Sequence, residues 1–398
     1  MLRDRHIALG ITGSIAAYKA ADLASKLTQA GALVDVLMTE AATRFITPLT
    51  LRSLTGRPVF LDMFDPSTEL AEEHVEIARR AAAVIVAPAG ADTIARLAQG
   101  RADDTVTLTV LATTAPVLIA PAMDHQMFEQ EATQANLRAL RDRGYIVIGP
   151  AEGRLANGRI GKGRLVETET LVGALKHELA RRHGDLAGRR VVVTAGGTRE
   201  PLDPVRFMSN YSTWKMGYAI AEAARDRGAE VTLVSTVSAL PLPYGVRLRP
   251  VETVAEMRDA VLAACAGADA LVMAAAVSDY RPAERQERKV KKGPGRKSIE
   301  LERNADFLLE VPDSVVKVGF AAETDDLLAN ARTKLQDKRL DLIAANDVTR
   351  PGSGFAVDTN QLTIIDCSGA AEELPLLSKY DAAQRLLDRV VALLRQRK

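Results

Sequence analysis

Short apolar runs rich in β-branched residues alternate with segments of helical period, the pattern of βα units feeding a parallel sheet. In the first half the runs are His6–Gly10, Val34–Met38, Ala83–Ala87, Val117–Ala120 and Ile146–Gly149, each followed by a polar or glycine-bearing turn and a helical stretch. They predict a doubly wound domain ending in a helix over Thr168–His183. Gly184-Asp185-Leu186-Ala187-Gly188 then breaks the period with two glycines. The pattern restarts with a strand at Val191–Ala195, and further strands are expected at Val231–Ser235, Ala270–Ala274, Lys317–Ala321, Leu342–Ala344 and Leu362–Ile365. Helices are expected over Lys215–Arg227, Val254–Cys265, Asp325–Lys338 and Lys379–Gln396. The fold class is therefore α/β, as two consecutive Rossmann-like domains over residues 1–187 and 188–398, with no clear sequence repeat between them. One segment has neither period. Tyr280–Lys297 carries eight Arg/Lys against two Glu, with two glycines and two prolines, and reads as a loop or hairpin of local charge +6.

Composition narrows the function. With 52 Lys+Arg against 51 Asp+Glu in 398 residues, no general attraction to nucleic acid or an anionic membrane is expected, and any polyanion site is local. Cys265 and Cys367, the only two cysteines, form no CxxC or Cys/His cluster, which argues against a disulfide framework or structural zinc. No apolar run approaches the ~18–20 residues of a membrane span, and no leader is apparent, so a reducing cytoplasm is the expected compartment.

Three strand-end loops of the first half carry candidate chemistry. Gly10-Ile11-Thr12-Gly13-Ser14 opens directly into a helix, a turn able to present backbone N–H groups and a hydroxyl to phosphate. A tight turn with Ser14 as N-cap accounts for the same residues without a ligand. The spacing is G-x-x-G-x-x-A and not GxGxxG, and Asp35 sits inside the second strand, which weighs against a dinucleotide fingerprint. The second and third loops are Ala87-Pro88-Ala89-Gly90 and Pro121-Ala122-Met123-Asp124. His74, within Glu72-Glu73-His74-Val75-Glu76, is a candidate base whose pKa the flanking carboxylates should raise; a solvated histidine is the plainer reading.

These residues resemble the flavin-dependent cysteine decarboxylases. The resemblance rests on G-x-T-G-S-x-A-A-Y-K at Gly10–Lys19, M-T-E-A-A at Met38–Ala42, F-I-T-P-L at Phe45–Leu49, H-V-E-I at His74–Ile77, A-P-A-x-A-D-x-I-A-R from Ala87, A-D-D at Ala102–Asp104 and P-A-M from Pro121. It implies a flavodoxin-like domain holding FMN at the strand ends, with the phosphate around Gly13, Ser14 and Thr39 and His74 as the active-site base. FMN would oxidise the cysteinyl thiol so that CO2 leaves readily. Two positions depart from the family pattern. Asp124 replaces the asparagine expected to hold the substrate carboxylate, where a second carboxylate would repel the substrate unless protonated. Asn157, in Ala156-Asn157-Gly158-Arg159-Ile160-Gly161-Lys162-Gly163-Arg164, replaces the flap cysteine that supplies a proton, which an amide does not do at neutral pH. A decarboxylation that is impaired, one that stops at the oxidised enethiol, and one that uses water or His125 as donor all remain open.

The second half offers Thr194-Ala195-Gly196-Gly197-Thr198-Arg199-Glu200-Pro201-Leu202-Asp203-Pro204-Val205-Arg206, where glycines allow close backbone approach and arginines fork onto phosphate. Ser209-Asn210-Tyr211-Ser212 precedes a helix, and Lys289-Val290-Lys291-Lys292 lies in the basic segment. Asp279 is placed at a strand end beside these lysines, a combination suited to a magnesium nucleoside triphosphate. No G-x-x-x-x-G-K-[ST] occurs, which excludes a P-loop enzyme. This half is similar to phosphopantothenate–cysteine ligases through T-A-G-x-T-R-E-P-L-D-P-V-R, S-N-x-S, K-M-G, A-A-A-V-S-D-Y-R-P, K-V-K-K, G-F-A-A-E-T and A-N-D-V at Ala345–Val348. The resemblance implies CTP and Mg²⁺ as activators of the phosphopantothenate carboxylate. It places Asn210 at the acyl cytidylate, Lys289 at the triphosphate, and Ala274, Ala275, Asp279, Ala305, Asp306, Phe307, Leu308, Phe320, Lys334 and Lys338 around CTP. Trp214 stands where this family has glycine, and its indole is expected to narrow the pocket or restrict that loop.

Decarboxylase followed by ligase is the order in the bifunctional enzymes of bacterial coenzyme A biosynthesis. That resemblance implies small-molecule substrates (4'-phosphopantothenate, cysteine and CTP) and a homo-oligomer built from trimers of the first domain and dimers of the second, commonly a dodecamer. Two other readings stand beside it: an active ligase whose first domain is a flavin-binding or oligomeric scaffold, and an NAD(P)-dependent Rossmann enzyme.

Overall fold

A computed structural model describes residues 2–63, 73–236, 239–291, 298–323, 326–347, 350, 352, 354 and 356–397, except the side chains of Glu323 and Asp347. Contacts divide the chain into two units, Met1–Leu179 and Ala180–Lys398.

The first unit runs β1 (His6–Ile11), α1 (Lys19–Gln29), β2 (Leu33–Met38), α2 (Pro48–Thr55), β3 (Val59–Phe60), α3 (Glu73–Arg80), β4 (Ala83–Ala89), α4 (Ala91–Gln99), α5 (Thr105–Ala112), β5 (Val117–Pro121), α6 (His125–Glu129), α7 (Glu131–Asp142), β6 (Ile146–Val147), β7 (Ala151–Arg154), β8 (Ile160–Arg164) and α8 (Thr168–His183). Its parallel sheet has the order β3-β2-β1-β4-β5-β6. Apart from the two-residue β3, this is the flavodoxin order 2-1-3-4-5, and the order reverses between β1 and β4, where such sheets open a crevice at their carboxyl ends. All seven residues of β4 are buried, which is why it reads as a continuous apolar run. Strands β7 and β8 form a separate antiparallel hairpin.

Helix α8 spans the division between the units. From Ala180 on it belongs to the second unit: the carbonyl of Ala180 lies so close to Gly228 that a Cβ there would approach it to 2.4 Å, and Leu186 N–H donates to the Arg227 carbonyl at 3.0 Å. The contact division thus precedes the glycine break at Gly184–Gly188 that the sequence pattern marks.

In the second unit follow β9 (Arg190–Ala195), β10 (Glu200–Pro201), β11 (Phe207–Met208), α9 (Lys215–Asp226), β12 (Glu230–Ser235), β13 (Arg247–Pro250), α10 (Val254–Cys265), β14 (Ala270–Met273), β15 (Tyr280–Pro282), β16 (Leu301–Arg303), β17 (Val316–Glu323), α11 (Leu327–Asp337), β18 (Leu342–Asp347), β19 (Thr359–Asn360), β20 (Leu362–Asp366), β21 (Ala371–Glu373), β22 (Leu377–Ser378) and α12 (Lys379–Gln396). The main sheet has the order β13-β12-β9-β14-β17-β18-β20-β21, parallel through β18 and antiparallel beyond it. Strand alternation divides its core between two faces: Val191, Val193 and Ala195 pack with α9 and α12, and Val192 with α10 and α11. Truncating a fully buried residue such as Leu271 to alanine would cost about 2–5 kcal/mol. The basic segment leaves this sheet through the β15–β16 hairpin, and its residues 292–297 lie outside the described residues. Among the described residues no helix is long and apolar enough to cross a membrane.

Candidate active sites

The turns after β1, β2 and β4 meet at the carboxyl end of the first sheet. Thr12 Oγ1 donates to the Pro88 carbonyl at 2.8 Å and accepts from Gly90 N–H at 3.3 Å, tying the first turn to the third across the order reversal. A Cβ on Gly13 would lie 2.6 Å from that of Ala41, so only glycine lets the first turn approach the second. Ser14 Oγ accepts from Ala16 N–H and Thr39 Oγ1 from Ala42 N–H, each at 3.3 Å and each capping a 3-10 turn. Each hydroxyl keeps its own proton to donate. Gly13, Ser14 and Thr39 therefore sit on abutting turns with donors to offer an anion.

His74 is half-buried in the first turn of α3, and among the described residues it makes no hydrogen bond to those turns. Of the carboxylates flanking it, Glu76 pairs with Arg79 at 2.8 Å, and Glu72 lies outside the described residues. Two motifs of the first half instead meet each other: Arg96 pairs with Asp92 at 3.0 Å and Asp103 at 2.9 Å, while Asp104 caps α5 with a reciprocal Thr107 bond. Asp35 is almost fully buried and accepts from His6, Arg57 and Arg80. Burial alone would raise its pKa, but these hydrogen bonds outweigh burial and hold it below the usual carboxylate value.

The two positions that depart from the decarboxylase pattern touch. Asp124 caps α6, with Oδ1 accepting from Gln126 N–H at 2.8 Å and Oδ2 from Asn157 Nδ2 at 2.5 Å. The β7–β8 hairpin is further held by Met123 N–H to the Gly163 carbonyl (2.9 Å) and by His125 Nδ1, which donates to the Lys162 carbonyl (3.2 Å). One oxygen of Asp124 thus faces the flap amide and the other its own helix.

In the second unit a cleft of about 480 Å³ lies at the carboxyl ends of β14, β17 and β18, within the size range of small-molecule sites. Ala274, Ala275, Asp279, Ala305, Asp306, Phe307, Leu308, Phe320, Lys334 and Lys338 all line it. Lys338 pairs with Asp306 at 3.0 Å, and Asn304 fixes the β14 loop by bonding the carbonyls of Asp279 and Ser278, each at 2.8 Å. Asn210 borders this region: its Nδ2 donates to the Ala276 carbonyl at 2.6 Å, and its Oδ1 would sit 2.3 Å from a Cβ on Gly197. Lys289 is exposed and is not among the cleft's lining residues. Lys292, Thr324 and Val348, which complete three of the ligase motifs, lie outside the described residues.

Trp214 both lines the cleft and restrains its loop. At φ 62° it adopts the left-handed conformation natural to glycine, at a cost of about 1–2 kcal/mol. In compensation its indole Nε1 donates to Thr236 Oγ1 at 2.7 Å, and the ring covers Gly196, where a Cβ would clash at 2.1 Å. Sequence pattern missed another lining residue, Lys379. Buried at the start of α12, it donates to the carbonyls of Gly354 (2.9 Å), Val357 and Thr359, and burial followed by the Lys215 charge pushes its pKa down to about 8. No local motif announces it, because its carbonyl partners come from the loop and short strand before the helix.

Residues 1–180 match the Flavoprotein family, and residues 186–394 match the DNA/pantothenate metabolism flavoprotein C-terminal domain. The chain is 46% identical over 401 residues to the coenzyme A biosynthesis bifunctional protein CoaBC of Bacillus subtilis, covering 100% of this chain and 99% of that one. The Escherichia coli protein of the same name is 44% identical over 403 residues, covering 98% and 97%. Among solved structures, the C-terminal domain of a CoaBC protein aligns at 39% identity and a TM-score of 0.47, over 54% of this chain and 100% of that one. A mutant PPC decarboxylase complexed with pantothenoylaminoethenethiol aligns at 28% identity and a TM-score of 0.40, over 44% and 97%. Matched along its whole length, the chain belongs to the CoaBC family of coenzyme A biosynthesis enzymes, bifunctional proteins that join a phosphopantothenoylcysteine decarboxylase to a phosphopantothenate–cysteine ligase.

Proposed function

We propose that residues 188–398 carry the ligase, with CTP in the 480 Å³ cleft, and residues 1–187 the decarboxylase, with FMN at the turns of Gly13, Ser14 and Thr39. The observation that carries the ligase reading is that ten residues scattered from position 274 to 338 line one cleft. In ligation the phosphopantothenate carboxylate attacks the α-phosphorus of CTP and expels pyrophosphate. The cysteine amine then attacks the acyl carbon, expels CMP and loses a proton. Asn210, pinned over Gly197, presents an amide beside this centre, and Lys334 and Lys338 bring positive charge to the phosphates. Mg²⁺, which commonly takes one or two carboxylates plus substrate phosphates, fits a cleft lined by Asp279 and Asp306.

FMN, when bound, supplies the electron sink for the thiol. The residues present fit it: abutting glycine turns leave backbone close to a ligand, and two capped hydroxyls retain donors for its phosphate. His74 takes the proton removed from the substrate, and the flap amide of Asn157 holds Asp124. The product of ligation, phosphopantothenoylcysteine, is the substrate of decarboxylation, so the two units act in series, in a cytoplasm that supplies CTP and free cysteine. Exposed Ile15, Tyr18 and Leu49 near the flavin turns support a homo-oligomer, with a dodecamer as the assembly to test by light scattering.

Removing the Lys338 charge tests the nucleotide site. Lys338→Met should raise the KM for CTP about tenfold, the effect of one charge-assisted contact, in a pyrophosphate-release assay. An unchanged KM would place the nucleotide elsewhere.

A further inference from the structure

The segment bearing Lys289 is docked by its backbone on the loop of Leu202–Arg206. Asp203, whose side chain is fully buried, accepts from the N–H groups of Val205 (2.9 Å) and Arg206 (3.0 Å) through Oδ1. Its Oδ2 takes Arg206 Nε at 3.0 Å, Arg206 Nη2 at 2.5 Å and Val290 N–H at 3.2 Å. Arg206 Nη2 in turn donates to the Val290 carbonyl at 3.2 Å. Both backbone polar groups of Val290 are therefore held by one ion pair. Gln286 N–H adds a bond to the Leu202 carbonyl at 3.0 Å. From residue 283 to 291 only Val290 is half-buried, and every other residue is exposed. The dock fixes the middle residue of Lys289-Val290-Lys291, and the two lysines flanking it are exposed.

We propose that Asp203 is a positioning residue for ligation: through Arg206 and the backbone of Val290 it holds the basic segment at the register from which Lys289 reaches the triphosphate. The inference rests on the Lys289 role carried by the ligase reading. The physical need is entropic. A long charged side chain on an exposed segment loses much conformational freedom on meeting a phosphate, and a segment already ordered by a buried anchor loses less. Asp203 supplies that anchor without touching the nucleotide itself.

Asp203→Asn removes the charge that orders Arg206, while Val290→Pro removes the donor that reaches Asp203 and fixes the local backbone. Both variants should raise the KM for CTP about tenfold, as expected for loss of a hydrogen bond to a charged group, with the KM for cysteine unchanged. Trypsin should cut faster after Lys291 in both, whereas the bond after Lys289 reports only on Asp203→Asn, because a Lys–Pro bond resists trypsin. Lys289→Gln should raise the CTP KM as well, and the Asp203→Asn/Lys289→Gln double variant should be no worse than Lys289→Gln alone, because the two act through one contact. A general loss of folding would lower the melting temperature and the active fraction without shifting one KM selectively. If Lys289→Gln raises the KM but Asp203→Asn and Val290→Pro do not, or if the double variant is additive, the positioning role is overturned while the Lys289 reading stands. If Lys289→Gln itself leaves the KM unchanged, the Lys289 reading fails and the positioning role fails with it.

Discussion

In the second unit ten of the residues expected around the nucleotide line one cleft, with Lys289 outside its lining, whereas in the first the flavin-side residues occupy turns at the carboxyl end of the sheet, near side chains as exposed as Leu49 at 71%. Both units are doubly wound, and both use the carboxyl ends of their strands. What differs is how the site is walled. Strands β17 and β18, the Phe307–Glu310 turn and α11 enclose the second unit's cleft locally. In the first unit Thr12 and Gly13 hold the turns after β1, β2 and β4 together, and Ile15, Tyr18 and Leu49 near them are exposed. The ligase half should therefore tolerate damage to the first unit better than the decarboxylase half tolerates loss of assembly.

The sharpest way to separate the two is His74→Asn. It should reduce CO2 release by about 10²–10⁴-fold, the usual range for loss of an acid–base group, with pyrophosphate release unchanged; undiminished CO2 release would remove His74 as the base. Asp35→Asn breaks the comparison through stability. Stripping the buried partner from two arginines should cost about 3 kcal/mol, the lower end of the range for a broken buried pair because Arg57 and Arg80 are partly exposed, in a urea titration that follows the first unit, leaving ligation intact. The sign in pH follows from the lowered Asp35 pKa: its contribution is complete above the ordinary value of 3.8 and is lost as pH falls through the lower folded value. Wild-type stability should drop below pH 3.8 more steeply than that of the variant. The smallest effect is spectroscopic. Trp214 is the only tryptophan and lines the cleft, so magnesium CTP alone should change the emission of the intact protein; constant emission at saturation would take the ligand off that wall.

The sheets were legible because buried parallel strands read as apolar β-branched runs, as Ala83–Ala89 and Val191–Ala195 do. Strand β13 was not, since Arg247–Pro250 is exposed at the sheet edge and carries no apolar signal. Helical spacing put Lys334 and Lys338 together, but the pairing of Lys338 with Asp306 needs the chain to pass through β17 and α11 first. Glycine in the family pattern marked position 214 as unusual, and the reason is its left-handed backbone, which Trp214 keeps. Asp124 and Asn157 looked like two separate faults in the sequence. Their hydrogen bond joins them into one feature of the flap, a contact that no spacing rule connects across the hairpin.

Mass spectrometry of the products that the purified protein forms from 4'-phosphopantothenate, cysteine, CTP, Mg²⁺ and FMN tests the two-site account most directly. The account predicts 4'-phosphopantetheine, with phosphopantothenoylcysteine appearing first. Accumulation of phosphopantothenoylcysteine with no CO2 release would contradict it, leaving a ligase joined to a scaffold.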